Sequence, residues 1–337
     1  MILKYDVYFR LLDGFLEIYQ LVPQRCRWRI RVDSDHTPSV MELMTGLIRG
    51  MEEPEMQRFL RQASYVCSEI VRFIGERNLF SQINDADNGE NPFLRQLEVF
   101  DSWNSTQENP QALQEKLTRS SVLVIGAGGV GSTLSNLLTS CGVGRIFVID
   151  YDRVEVHNLA RQYPYTYNDV GQPKSEVLAR RLGERGLSKI FPIVERLTPN
   201  NLGDILAKVG DITLSSGWPF PRTEAATSII EGIIGLKIPF LCVGEHDVGP
   251  LLRSKSDIEK YSKWLSNRFR LNDTWYQTRM MRRSDARHPS YAPTLSISCA
   301  LAADEIARYI SGYAPARCGS GVFSIDPITS EVRFFDA

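Results

Sequence analysis

Gly126-Ala-Gly128-Gly129-Val-Gly131-Ser132 follows the apolar run Val122-Leu-Val-Ile125 and opens a stretch of helical pattern. A strand that turns through glycines into a helix lets the backbone approach a phosphate, and the free N–H groups of the helix start supply positive potential. Asp150 stands nineteen residues beyond Gly131, at the end of the next apolar run, Arg145-Ile-Phe-Val-Ile149. A carboxylate there can accept hydrogen bonds from ribose hydroxyls. The glycines alone leave open a nicotinamide enzyme and a tight strand-to-helix turn with no ligand.

The residues further along decide between them. Asp150-Tyr-Asp152-Arg-Val-Glu-Val-His-Asn158-Leu-Ala-Arg161-Gln162, followed by Asp169-Val-Gly171-Gln-Pro-Lys174, resembles the signature of the E1-like ThiF/MoeB/HesA adenylating enzymes. There, strand-end acids precede an N-L-x-R-Q segment and then a G-x-x-K segment. A hydride-transfer enzyme has no need of a cationic pair here, because backbone at the glycine loop holds its diphosphate. An enzyme that cleaves ATP between its α- and β-phosphates does need one, to receive the charge that builds on the departing pyrophosphate. The plainer alternative for Arg161 and Lys174 is a surface salt bridge.

The resemblance implies ATP held by Gly126, Gly128, Gly129, Gly131, Asp150, Asp152, Asn158, Arg161, Gln162 and Lys174. In it Asp150 holds the ribose, Asn158 and Arg161 the phosphates, and Lys174 the phosphates or the adenylate. It further implies that Arg95, in Phe93-Leu-Arg95-Gln-Leu-Glu-Val-Phe-Asp-Ser102-Trp103, is given to the partner subunit's ATP, so that the active form is a homodimer.

Two family features are missing. The CxxC pairs that hold a structural zinc in many members do not occur among the six scattered cysteines, so no zinc is expected. The aspartate that binds Mg²⁺ in the family is also absent, since Asp211-Ile-Thr-Leu-Ser-Ser-Gly217-Trp218-Pro219-Phe220 has Gly and Trp where it should fall. Mg²⁺ needs only one or two carboxylates beside phosphates and water, so a displaced acid could serve. Glu245-His246-Asp247 follows the strand 239–243 at its carboxyl end, where open α/β sheets bind ligands. It is the candidate source of a metal ligand, Asp247, or of a general base, His being suited to proton transfer near neutrality. A solvated loop is the alternative. Cys242 and Cys299 read as buried core thiols rather than as a thioester nucleophile.

These groups need a framework that presents them along one edge. From Ser120 onward, strand and helix patterns alternate: strands at 122–125, 145–149, 190–194, 212–214 and 239–243, with helices at 132–140, about 174–185, 201–208 and 223–235 between them. A helix at 293–310 closes the pattern. Such alternation predicts a Rossmann-like, mostly parallel sheet covered by helices on both faces, an α/β fold. The first part differs. Three short strands, joined at Asp13-Gly14 and Val22-Pro23-Gln24, precede helical periodicity through Val40, Leu43, Met44, Leu47 and on to Ile74, a small α+β, winged-helix-like domain. The turn-rich segment 84–92 reads as a linker. The expected domains are 1–83 for peptide recognition, 84–119 as linker and helix, and 120–337 for ATP binding and adenylation.

Arg25, Arg27, Arg29 and Arg31 alternate with Cys26, Trp28 and Ile30, which puts four guanidinium groups on one strand face. That is either a charged edge protected against aggregation or an edge that captures an extended, acidic peptide by strand addition. The order of parts resembles enzymes that mature ribosomally made precursor peptides, such as microcin C-type peptide adenylyltransferases and pantocin-type maturation enzymes. The expected reaction is activation of a peptide carboxylate, a glutamate side chain for intramolecular condensation, as an acyl-adenylate. C-terminal adenylation of a peptide or sulfur-carrier protein is the second reading, and a peptide-binding scaffold with a degenerate nucleotide site the non-enzyme one. The basic run Arg279 to His288 suits a lid over an acidic peptide or a solvated loop.

Over 337 residues, 39 Lys+Arg balance 40 Asp+Glu, for a formal charge of −1. That excludes a dedicated nucleic-acid binder, whose affinity rests on a basic excess. No apolar run spans a bilayer and the start is charged too early for a secretory signal, so a cytoplasmic setting without a membrane partner is expected.

Overall fold

The computed structural model describes residues 1–21, 26–83, 90–104, 106, 108–217, 223–269 and 290–336. Arg25, most of the expected linker, Trp218 to Phe220 and the basic run 279–288 lie outside the described residues. The chain divides into two compact units, Met1–Gln114 and Glu115–Ala337. No helix among the described residues is long and apolar enough to cross a membrane.

In the first unit β1 (Val7–Leu12), β2 (Phe15–Gln20) and β3 (Cys26–Arg31) form an antiparallel meander in the order β1-β2-β3. Asp13 and Gly14 both take positive φ, 50° and 75°, the backbone of a two-residue hairpin whose twist matches its strands. That turn fixes the register, and period two does the rest. Leu16 and Ile18 are fully buried against Val40, Leu43, Met44 and Leu47 of α1 (Thr37–Arg49) and Ile70 and Ile74 of α3 (Tyr65–Glu76), with α2 (Glu53–Gln62) between the two helices. Trp28 of β3 meets Phe73 of α3 edge to face, centroids 6.0 Å apart. α4 (Leu94–Trp103) is tied in by a buried ion pair, Lys4 to Asp101 at 3.8 Å, and burial pushes the Lys4 ammonium below its usual pKa. α5 (Pro110–Arg119) contains the boundary between the units.

The outer sheet face carries Arg10 directly opposite Glu17 and Glu17 directly opposite Arg29. Glu17 accepts from Tyr19 Oη at 2.5 Å, from Arg27 and from Arg10 Nε at 2.6 Å, and forms an ion pair with Arg29 Nε at 3.1 Å. Those donors, Tyr19 and Arg27 foremost, hold its carboxyl down to about 2. A depressed folded-state pKa contributes stability at neutral pH that is lost as pH falls from the unfolded value toward the folded one. The thermal midpoint is therefore expected to drop between about pH 4.5 and pH 2, and Glu17→Gln to lower it at pH 7 but little at pH 2. Scanning calorimetry of both proteins across that range checks this; parallel curves would remove Glu17 from the acid response.

Among its described residues the second unit is built on an eight-stranded sheet. β4 (Ser121–Ile125), α6 (Gly129–Cys141), β5 (Arg145–Ile149), α7 (Lys174–Gly183), β6 (Lys189–Ile193), α8 (Leu202–Val209), β7 (Leu214–Gly217), α9 (Glu224–Gly235) and β8 (Phe240–Val243) supply its parallel part. β9 (Asp247–Leu252), α10 (Lys255–Phe269), α11 (Ala292–Ser311), β10 (Gly321–Ile325) and β11 (Val332–Asp336) complete it with antiparallel strands and two helices. The order β11-β10-β9-β8-β7-β4-β5-β6 has its reversal between β4 and β7. At such a switch point the loops leaving neighbouring strands part, and a crevice opens outside the strand ends. The glycine loop leaves β4 there.

One strand lies later than its sequence pattern indicates. The apolar triplet 212–214 marks a strand, but the paired segment is Leu214–Gly217, Leu-Ser-Ser-Gly. Ser215 and Ser216 are fully buried, and their hydroxyls donate to the carbonyls of Pro239 and Leu241, each at 3.1 Å. Serines bonded to the neighbouring backbone are compatible with a buried strand, although as residue types they read as a turn.

Candidate functional site

The glycines of the loop differ in what requires them. Gly126 has φ +91° and its N–H donates to Ile149 O at 2.8 Å. A Cβ on Gly131 would lie 1.7 Å from Gly126 O, whereas one on Gly129 would only touch the Leu295 side chain at 3.1 Å. Gly128 caps α6 without any side-chain hydrogen bond. The first N–H groups of a thirteen-residue helix are thus left for a ligand at the carboxyl edge of the sheet.

Asp150, 8% exposed at the end of β5, turns both carboxylate oxygens to backbone: Oδ2 accepts from Ala127 N at 2.5 Å and Oδ1 from Asp152 N at 2.7 Å. It braces the loop and still has one lone pair on each oxygen for hydroxyl donors. Lys174 is the first residue of α7 and is 6% exposed. Its Nζ lies 3.1 Å from Asp152 Oδ2, and its backbone N–H donates to Asp152 O at 2.9 Å. Tyr165 joins the two segments: its hydroxyl lies 2.7 Å from Ala127 O and 3.3 Å from Lys174 O. Burial pushes the phenol well above its usual pKa, so it stays a donor. Neither spacing nor composition singles out Tyr165 in the sequence; its place depends on three loops meeting.

The N-L-x-R-Q segment sits in the crossover between β5 and α7. Asn158, 2% exposed, turns inward, its Oδ1 accepting from Glu155 N at 2.9 Å in a reciprocal capping box. Arg161 is half-buried, with Nη1 donating to His157 O at 2.8 Å. Gln162 is 2% exposed and its Oε1 has no partner among the described residues. Its Nε2 is 4.0 Å from where a Cβ of Gly128 would stand, which puts the amide beside the loop.

Glu245, His246 and Asp247 occupy the hairpin between β8 and β9, on the same edge. Glu245 Oε1 accepts from Tyr291 N at 2.6 Å, just ahead of α11, so this carboxylate anchors that helix. His246 is exposed, and Asp247 Oδ1 is buried without a partner. Mg²⁺, which the resemblance implies, gains nothing from the end of β7, where Gly217 has φ +120° and a Cβ would lie 2.4 Å from Ile125 O. Among the described residues no group of three or more His, Cys, Asp or Glu is placed to hold a metal. Asp247, with its orphaned oxygen, is the acid that fits one coordination position, water and phosphate supplying the others.

Cys242 and Cys299 are buried in the core, and desolvation raises both thiols, that of Cys299 to about 12, so neither is a ready thiolate. In the first unit the Arg95 side chain is 90% exposed and 3.9 Å from Glu98. Arg27 and Arg29 share Glu17, and Arg31, 82% exposed, lies 3.5 Å from Asp33.

A doubly wound sheet with a glycine turn at its switch point, and a buried lysine opening the helix that follows β5, is the architecture of an E1-like fold. Residues 94–215 match the ThiF family. It is 43% identical over 135 residues to the sulfur carrier protein adenylyltransferase of Thermus thermophilus, covering 40% of this chain and 49% of that protein. It is 41% identical over 110 residues to the adenylyltransferase and sulfurtransferase MOCS3 of Arabidopsis thaliana, covering 32% and 24%. The chain thus spans about half the length of the first of these relatives and about a quarter of the second. Its fold over nearly the whole chain is that of E. coli MccB solved with ATP (TM-score 0.72, 19% identity, 99% of this chain and 96% of that one). The microcin C7 biosynthetic enzyme MccB in complex with N-formylated MccA gives the same values. PaaA matches with TM-score 0.74 and 21% identity, covering 99% of each chain.

Proposed function

We propose that the chain is an ATP-dependent adenylating enzyme that activates a carboxylate of a ribosomally made precursor peptide. The observation that carries the reading is a buried ammonium, that of Lys174, paired with Asp152 on a helix start whose backbone Tyr165 ties to a glycine turn with N–H groups free of a side-chain cap. A carboxylate oxygen of the peptide bonds to the α-phosphorus as the bond to pyrophosphate breaks. The N–H groups at the start of α6 face the phosphates, Lys174 and Arg161 balance the charge gained by the leaving group, and Asp150 receives the ribose hydroxyls. Mg²⁺, held at Asp247, would neutralise phosphate charge. Arg95, exposed on α4, suits donation to the site of a partner subunit in a homodimer.

The first unit takes the leader of the peptide along β3, the edge strand of its sheet. A glutamate side chain is the carboxylate we assign, attacked from within the same peptide. Adenylation at a peptide C-terminus is the second reading, and the solved MccB complex with N-formylated MccA supports a peptide substrate under either.

Incubation of the protein with ATP, labelled pyrophosphate and each short acidic peptide that the neighbouring reading frames encode tests the proposal. Label should enter ATP only with peptide present, NAD should not replace ATP, and the peptide should become lighter by at least one water. Absence of exchange and an unchanged peptide mass would overturn it, and an adenylylated C-terminus would establish the second reading.

A further inference from the structure

The two sides of β3 are chemically unlike. On the helical side a groove of about 250 Å³ is lined by Ile30, Glu69, Arg72, Phe73, Glu76 and Arg77. Its charges are matched internally: Arg72 bonds to Glu69 and lies 3.9 Å from Glu76, Arg77 lies 3.8 Å from Glu76, and the Arg77 guanidinium sits 3.6 Å from the Phe73 ring centroid. With these charges paired among themselves, the uncharged surface that the groove offers a ligand is that of Ile30 and the part of Phe73 that Arg77 leaves uncovered, both partly exposed. On the other side Arg27, Arg29 and Arg31 project at two-residue intervals, about half exposed or more, with Arg10 across the sheet. Four guanidinium groups there face two carboxylates, Glu17 and Asp33, so this face keeps a positive excess.

β3 ends the sheet order, and a segment added along it becomes a fourth strand whose side chains alternate between these two surroundings. We propose that the first unit selects an extended segment in which acidic and apolar residues alternate, the apolar ones over Ile30 and Phe73 and the acidic ones beside Arg27, Arg29 and Arg31. This rests on the peptide-recognition reading and adds its selection rule. Net acidity alone does not satisfy the edge, because an acidic residue in the wrong register meets the groove, and a one-residue slip exchanges every side chain between the faces.

The test uses the full-length protein and fluorescein-labelled nonapeptides read by fluorescence polarisation. One alternates Glu and Leu, one has the same composition in two blocks, and one alternates Lys and Leu. The alternating acidic peptide should bind at least about tenfold more tightly than either other, and its advantage over the lysine peptide should shrink at about 0.5 M salt. Arg31→Glu, at a side chain 82% exposed, should weaken it several-fold with an unchanged melting temperature. Equal binding of the block isomer, no binding of any peptide, or indifference to Arg31→Glu overturns the rule. Pyrophosphate exchange on the native precursor is read in parallel: exchange without this discrimination defeats the selection rule alone, and discrimination without exchange defeats the adenylation reading alone.

Discussion

Lys174→Met is expected to lower peptide-dependent pyrophosphate exchange by roughly 10²–10³-fold, the usual cost of removing one preorganised partner for transition-state charge. Methionine keeps most of the apolar stem, so packing at the start of α7 changes little. What disappears is an ammonium only 8% exposed at the side chain and 3.1 Å from Asp152 Oδ2. Asp152 is left unpaired, but at 49% exposure it has water to accept in its place, and the fold should persist. The loss should fall on kcat more than on the KM for ATP, because pyrophosphate gains charge as the bond breaks. A stopped assay separates these parameters. Activity within about threefold of the parent would show that Lys174 acts as a structural partner of Asp152, and a scaffold protein would keep its biological output through the change.

The glycine loop was legible because its parts are consecutive. A buried strand, glycines and a helix start need no partner from elsewhere, and the alternation of strands and helices from Ser120 onward predicts the sheet that follows. The antiparallel additions β9, β10 and β11 were less legible, since hairpins this short carry little periodicity and follow no βα rhythm. β7 shows the limit differently, because its buried serines are satisfied by carbonyls of a strand two dozen residues away. Period two placed Arg27, Arg29 and Arg31 on one face, and the structure keeps them there. The carboxylate shared by Arg27 and Arg29 is a cross-strand matter: Glu17 meets Arg29 only through the register set at Asp13-Gly14. Within the site, Asp150 and Lys174 stand out by position. The hydrogen bond by which Asp150 braces Ala127, and the bridge made by Tyr165, depend on loops meeting in space.

Gly131→Ala is expected to abolish nucleotide binding and to destabilise the second unit, while Gly129→Ala leaves both nearly intact. The two positions are neighbours in the same turn and differ in what a methyl group would strike. At Gly131 it would lie 1.7 Å from the carbonyl oxygen of Gly126 and 2.7 Å from its carbon, so backbone must move. That backbone is held on two sides, by Gly126 N on Ile149 O at 2.8 Å and by Asp150 on Ala127 N at 2.5 Å. Relief therefore breaks these bonds or lifts α6 from β4, at a cost of about 3 kcal/mol, the upper end for overpacking. At Gly129 the obstacle is a side chain and not backbone, Leu295 with Cδ2 at 3.1 Å and Cδ1 at 3.3 Å, which must give by only a few tenths of an ångström, and alanine is the better helix former. Calorimetric titration with ATP and denaturant melts of both variants separate the cases. Because the clash displaces the N–H groups that would face the phosphates, ATP affinity should fall even at temperatures where the Gly131→Ala protein remains folded. Retention of ATP binding by folded Gly131→Ala would mean that the phosphates sit elsewhere on the carboxyl edge.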